Sequence, residues 1–208
     1  MDYSTPDSFD EPWTGAEQRA AARYISLIRA AKLVTDAGEF VCVVRDVSQT
    51  GVKVKTFHRL PDDGRLVALE LQNGERFPLR PVRQGPGEAS YAFAQAVAVE
   101  RLIREHWSHP KRPFRVNVDL PVRLLASCGS HDATIDNLSQ QGARLTTDAH
   151  LAVYQLVRIT APDLPEIRAK VRWHRAGVYG LVFEDTFALP QFAHLAALIQ
   201  APALLRDG

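Results

Sequence analysis

Cysteine is scarce in this 208-residue chain, neither sign of charge is in excess, and no long apolar run occurs. The only cysteines, Cys42 and Cys128, stand far apart with no C-x-x-C spacing. That excludes a disulfide framework and a cysteine zinc site, and it fits a reducing compartment. Lys plus Arg total 25 against 24 for Asp plus Glu, a net charge of +1. A protein that coats a nucleic-acid polymer draws its affinity from neutralised phosphates and is far more basic. Any anion bound here must therefore be gripped by a local cluster. No apolar segment approaches the roughly 18 residues that span a bilayer, which excludes membrane insertion. The first 13 residues are acidic and polar, unlike the basic-then-apolar layout of a secretory leader, so a cytoplasmic location is expected. G-x-x-x-x-G-K, G-x-G-x-x-G and H-E-x-x-H are all absent. The remaining balance, 46% hydrophobic and 24% charged, is that of an ordinary globular protein.

What is there has the rhythm of β structure. After an acidic lead-in over residues 1–14, short apolar runs alternate with turn signals. Phe40 to Val44 is rich in β-formers, and Val52 to Thr56 alternates with period two. Leu66 to Leu71 runs into Asn73-Gly74, a strong hairpin signal, and Pro61 to Gly64 marks an earlier turn. Tyr24 to Leu33 fits a helix stripe or a strand, and its length and β surroundings favour the strand. A first barrel is expected over 15–95. Over 96–107, Val99, Leu102 and Ile103 share one helical face and Arg101 is four residues before Glu105, which predicts a linker helix. A second β-rich stretch fills 108–188, and Phe192, Leu195 and Ile199 fit the stripe of a terminal helix over 189–208. The fold class is all-β with accessory helices.

The informative feature is internal repetition. Asp46-Val47-Ser48-Gln49-Thr50-Gly51 recurs as Asn137-Leu138-Ser139-Gln140-Gln141-Gly142. A basic cluster precedes each copy: Arg19 and Arg23 before the first, Lys111, Arg112 and Arg115 before the second. Arg23 lies 23 positions before Asp46, and Arg115 lies 22 before Asn137. One D/N-x-S-x-x-G arises by chance in about a tenth of chains this long. Two copies in register, each with its upstream cations, are far harder to obtain by accident.

This combination resembles the PilZ domain family, whose signature is R-x-x-x-R followed about two dozen residues later by D/N-x-S-x-x-G. The resemblance covers residues 15–95 and 108–188, and Trp173 with Tyr179 to Phe183 looks like the end of such a barrel. It implies two tandem six-stranded β-barrels without catalysis, and it implies cyclic di-GMP as the ligand with no cofactor or metal. The first half carries the full motif in Arg19, Arg23, Asp46, Ser48 and Gly51. The second departs from it, with Lys111 where the first arginine is expected and Arg112 and Arg115 nearby.

The residue types suit that ligand. An arginine fork can donate in parallel to guanine O6 and N7 or to phosphate oxygens, and its plane can stack on a purine. Asp46 offers carboxylate acceptors to guanine N–H donors, and Asn137 accepts only through its amide oxygen. Ser48 and Ser139 would add hydroxyl contacts, while Gly51 and Gly142 permit a tight turn or a close approach. Lys111 holds phosphate as a point charge but cannot reproduce the fork. The expected receptor would change the arrangement of its barrels on binding and so regulate a downstream protein, with motility, exopolysaccharide or biofilm outputs implied by the family.

Simpler readings stand beside these. Arg19 and Arg23 in an alanine-rich run can be a solvated helix face, and D-x-S-x-x-G alone is commonly a capped turn. The competing functional class is an adaptor that binds protein rather than ligand, with the second half as the candidate dimerisation surface. Cys128-Gly129-Ser130-His131 reads as a polar loop rather than a nucleophile, lacking an oxyanion site. Glu105, His106 and His109 could be metal ligands at helical spacing, but no further ligand is evident and a linker surface is the simpler reading. Trp13, Trp107 and Trp173 read as packing residues.

Overall fold

The computed structural model describes residues 24–61, 67–104 and 114–205. The first barrel contains β1 (Tyr24–Thr35), β2 (Gly38–Val47), β3 (Gly51–Lys55), β4 (Val67–Leu71), β5 (Arg76–Gly85) and β6 (Glu88–Phe93). A short helix α1 (Val99–Ile103) follows. The second barrel contains β7 (Arg115–Ala126), β8 (Gly129–Ser139), β9 (Gly142–Thr146), β10 (Leu156–Thr160), β11 (Ile167–Arg175) and β12 (Val178–Phe183). Helix α2 (Leu189–Gln200) and a 3-10 turn (Pro202–Leu205) complete the described chain. Both sheets are closed and antiparallel. Their strand orders, β1-β2-β3-β6-β5-β4 and β7-β8-β9-β12-β11-β10, are the same topology twice. The sequence repeat is thus a duplicated fold, and the ambiguous Tyr24 segment is a strand.

Alternation builds each interior. In β4 the pattern places Val67, Leu69 and Leu71 inside, and in β10 Val157 and Ile159 point inward. Each such side chain contributes about 1.5–3 kcal/mol by leaving water. Strand β2 departs from alternation, because Glu39 to Val44 are all buried. A strand covered on both faces must be apolar on both, hence the continuous run Phe40-Val41-Cys42-Val43-Val44. The outer cover is the second barrel and α2, and Val41 belongs to the second barrel's core although it sits on a first-barrel strand. Burial also pushes the Cys42 thiol up, away from thiolate chemistry.

Helix α2 wedges between the barrels. Phe192, Ala193, Leu195 and Ala196 join the second core and Ala197 joins the first. The alanines keep the helix thin enough for both contacts. At its end the Gln200 side chain closes a two-way hydrogen bond on β2: Glu39 N–H donates to Gln200 Oε1 at 2.8 Å, and Gln200 Nε2 donates to the Glu39 carbonyl at 2.9 Å. Arg101 reaches Glu75, with Nε donating to Oε1 at 2.7 Å. Glu105 lies outside the described residues. So do Trp13, Trp107, His106 and His109. Among the described residues no helix is long and apolar enough to cross a membrane, and no cluster of three metal-ligating side chains occurs.

One ion pair sits inside this seam. Lys32, 4% exposed, donates to Glu39 Oε2 at 2.8 Å and lies 3.0 Å from Glu70 Oε1. This cation is costly to remove, because buried Glu39 loses its ammonium, while Glu70 keeps Arg76 at 2.6 Å. Lys32→Met is expected to lower unfolding free energy by about 3–5 kcal/mol in urea denaturation. Arg144→Ala, which breaks only an exposed pair with Asp136, is expected to cost about 0–1 kcal/mol.

Candidate functional site

The two motif loops occupy equivalent turns, β2 to β3 and β8 to β9. In the first, Ser48 N–H donates to the Gly51 carbonyl at 2.9 Å, and the Ser48 hydroxyl accepts from Gly51 N–H at 3.1 Å. In the second, Ser139 Oγ donates to the Gly142 carbonyl at 3.0 Å. Each loop then ties down the end of its barrel. Phe93 and Val97 donate their N–H groups to Thr50 and Gln49, and Phe183 and Phe187 donate theirs to Gln141 and Gln140. Ser139 is only 2% exposed. Its hydroxyl donates within the turn.

The glycines are dictated by close approach. A Cβ at Gly51 would lie 2.9 Å from the Tyr91 carbonyl oxygen, and one at Gly142 would lie 2.1 Å from that of Leu181. The neighbouring strand leaves no room for any other residue at position 142 without moving backbone.

A bulge re-aims the motif's first residue in both barrels. The β2–β3 register slips between Val44 and Asp46, and the β8–β9 register slips between Ile135 and Asn137. Such an extra residue bends the strand and turns a side chain toward the outer face. Asp46 then stands opposite Lys53, Lys53 opposite Ser90, and Ser90 opposite Arg83. In the second barrel Asn137 stands opposite Arg144, Arg144 opposite Gly180, and Gly180 opposite Trp173. Each motif residue thus begins a cross-strand row that contains at least one cation. Lys53, Arg83 and Arg144 were not singled out from sequence, because a bulged register cannot be counted from spacing.

In the first barrel Asp46, Ser48, Gly51, Lys53 and Ser90 line a shallow groove of about 290 Å³. A neighbouring groove of about 400 Å³ is bordered by Arg45, Asp46, Lys53, Lys55 and Glu88. Lys53 also pairs with Glu88 at 2.7 Å, and its ammonium holds that carboxyl below the usual range. In the second barrel Arg115 Nη1 donates to Asn137 Oδ1 at 2.9 Å. That contact joins the upstream basic cluster to the loop motif across β7 and β8. Trp173 is 44% exposed, and its indole packs against the bare backbone of Gly180, where a Cβ would meet the ring at 2.1 Å. Arg19, Arg23, Lys111 and Arg112 lie outside the described residues. Cys128 stands in the β7–β8 hairpin with its Sγ 3.3 Å from His131 Nε2, both on the surface.

Comparison with family models matches residues 110–201 to the PilZ domain. The chain carries a PilZ domain. It is the second barrel with α2, and residues 1–109 lie outside the matched stretch. No curated protein matches the chain. Among solved structures it is similar to the Borreliella burgdorferi PlzA protein in complex with c-di-GMP, at 11% identity over 89% of this chain and 96% of that one, with a TM-score of 0.34. It is also similar to the PilZ domain of CeSA from a cellulose-synthesizing bacterium, at 21% identity over 41% of this chain and 93% of that one, TM-score 0.32. YcgR from Escherichia coli in complex with c-di-GMP matches at 12% identity over 86% of this chain and 85% of that one, TM-score 0.31. TM-scores this low carry no functional weight. The PilZ assignment rests on the family match, and the first barrel shares the PilZ domain's strand order and its bulged loop.

Because the Gly142 approach is to fixed backbone, Gly142→Ala is expected to destabilise the protein by about 2–3 kcal/mol, and Gly51→Ala by less. Paired chemical denaturation curves check the order.

Proposed function

We propose that this protein is a cyclic di-GMP receptor that acts by binding rather than catalysis. The observation that carries the reading is the 2.9 Å contact between Arg115 and Asn137, which gathers the motif's cation and its guanine-reading amide at one rim of the PilZ domain. An arginine there can donate to phosphate or to a guanine edge while the amide oxygen accepts from guanine N–H groups. The first barrel supports a second site, with Asp46 beside Lys53 and with Arg83 in the same row. The basic residues Arg19, Arg23, Lys111 and Arg112 would complete the two sites from the segments that precede each barrel. Asp46, as a carboxylate, is the stronger acceptor, so the first site is the tighter one.

Ligand held between the segment before β7 and the barrel would fix the angle between the two barrels and alter the surface shown to a downstream protein. A specific observation also favours a docking role for the PilZ domain. Leu156, Trp173 and Val182 are 58%, 44% and 39% exposed on the adjacent strands β10, β11 and β12. Apolar exposure on neighbouring strands is where a protein partner gains most from burial. The regulated output, whether motility or exopolysaccharide synthesis, follows from that partner.

Calorimetric titration with cyclic di-GMP of the wild type, Arg23→Ala and Arg115→Ala separates the readings. Two sites predict that each substitution removes its own portion of the heat, with the tighter portion lost in Arg23→Ala. Loss in Arg23→Ala alone assigns the PilZ domain to docking, and a silent wild type rejects the receptor.

A further inference from the structure

The reading of Asn137 as a guanine contact leaves open which edge of its amide faces the ligand. A chain of hydrogen bonds across the seam answers that. Glu39 of β2, 8% exposed, accepts at Oε2 from Lys32 Nζ at 2.8 Å and from the Asn117 backbone N–H at 2.7 Å. Its other oxygen, Oε1, accepts from Asn117 Nδ2 at 2.9 Å. Asn137 Nδ2 in turn donates to Asn117 Oδ1 at 3.0 Å, and Asn137 Oδ1 accepts from Arg115 Nη1 at 2.9 Å. The strand register puts Asn117 directly opposite Asn137.

The polarity of this chain has one source. A carboxylate only accepts, whereas an amide has one accepting end and one donating end. Ion-paired Glu39 therefore forces Asn117 to turn its NH2 toward the first barrel and its oxygen toward Asn137. Asn137 must then spend its NH2 on Asn117, which leaves its oxygen for Arg115 and the ligand. The same logic explains a departure between the repeats. The residue opposite Asn137 is Asn117, whose oxygen needs a donor. An aspartate at 137 would set an oxygen against an oxygen somewhere in the chain.

We propose that Glu39 of the first barrel is a positioning residue for the PilZ domain's ligand site, setting through Asn117 the acceptor edge that Asn137 presents. This rests on the receptor reading for its ligand half. The first barrel thus determines the hydrogen-bond selectivity of the second, favouring a guanine N–H edge over a base edge that only accepts.

The test is a double-mutant cycle on the full chain with Glu39→Gln and Asn137→Asp. In Glu39→Gln the side-chain oxygen must stay at the position that receives Lys32 and the Asn117 N–H. Its new NH2 then faces Asn117 and reverses both asparagines, so a donor meets Arg115. In Asn137→Asp two acceptors face each other. Each single variant is expected to weaken cyclic di-GMP binding at the Arg115-dependent site by about tenfold and to lower the melting temperature of the ligand-free protein by about 3–6 °C. The double variant is expected to regain most of both losses, because glutamine, a reversed Asn117 and aspartate form one consistent chain. Additive losses in the ligand-free protein would overturn the polarity chain itself. Rescue of melting with a wild type silent toward cyclic di-GMP would overturn the receptor reading and the ligand half, while the seam's polarity would stand. Rescue of melting without rescue of binding would overturn the positioning role alone.

Discussion

The Glu39 carboxylate is the contact on which the rest of the arrangement depends. Its residue sits where three elements meet, and the carboxylate satisfies groups from two of them. From β1 it takes the Lys32 ammonium, from β7 the backbone and side chain of Asn117, and its own backbone is clamped by Gln200 at the end of α2. A buried charge is tolerated only when it is fully hydrogen-bonded, and here the carboxylate's partners are divided between the two barrels. That division ties the orientation of the barrels to a polar requirement as well as to apolar packing. Hydrophobic contact around Val41 and Ala197 can slide, but a carboxylate with directional partners cannot.

Against this shared seam the two barrels have diverged in their outer rows. The same topology, the same bulge and the same serine–glycine turn recur, so the backbone device has been kept twice. What differs is the chemistry the device displays. The first row offers Asp46, Lys53, Ser90 and Arg83, a polar strip next to a groove. The second offers Asn137, Arg144, Gly180 and Trp173, where a flat exposed indole replaces a cation. Indole and guanidinium both present planar faces.

Much of the fold was legible in the sequence because strand alternation and the paired D/N-x-S-x-x-G motifs are local signals. Even the doubly buried β2 announced itself as Phe40 to Val44. The site was only partly legible. Asp46 and Asn137 could be picked out from their motifs, but their partners Lys53 and Arg144 depend on a bulged register that no spacing rule counts. Glu39 gave no signal at all: a glutamate beside an apolar run reads as a strand end facing water until a second barrel covers it. A tryptophan among strands suggests burial, yet Trp173 packs on the bare backbone of Gly180 while staying partly on the surface.

The central claim is that a duplicated loop, presented at equivalent places on two barrels, holds the two halves of a guanine-dinucleotide response. Backbone amide shift mapping on the full chain during titration with cyclic di-GMP tests it most directly. The account predicts perturbations clustered at Asp46 to Lys53 and, separately, at Arg115 and Asn137 to Arg144, the two sets saturating at different ligand concentrations. Shifts confined to residues away from both loops, or no shifts at saturating ligand, would contradict it.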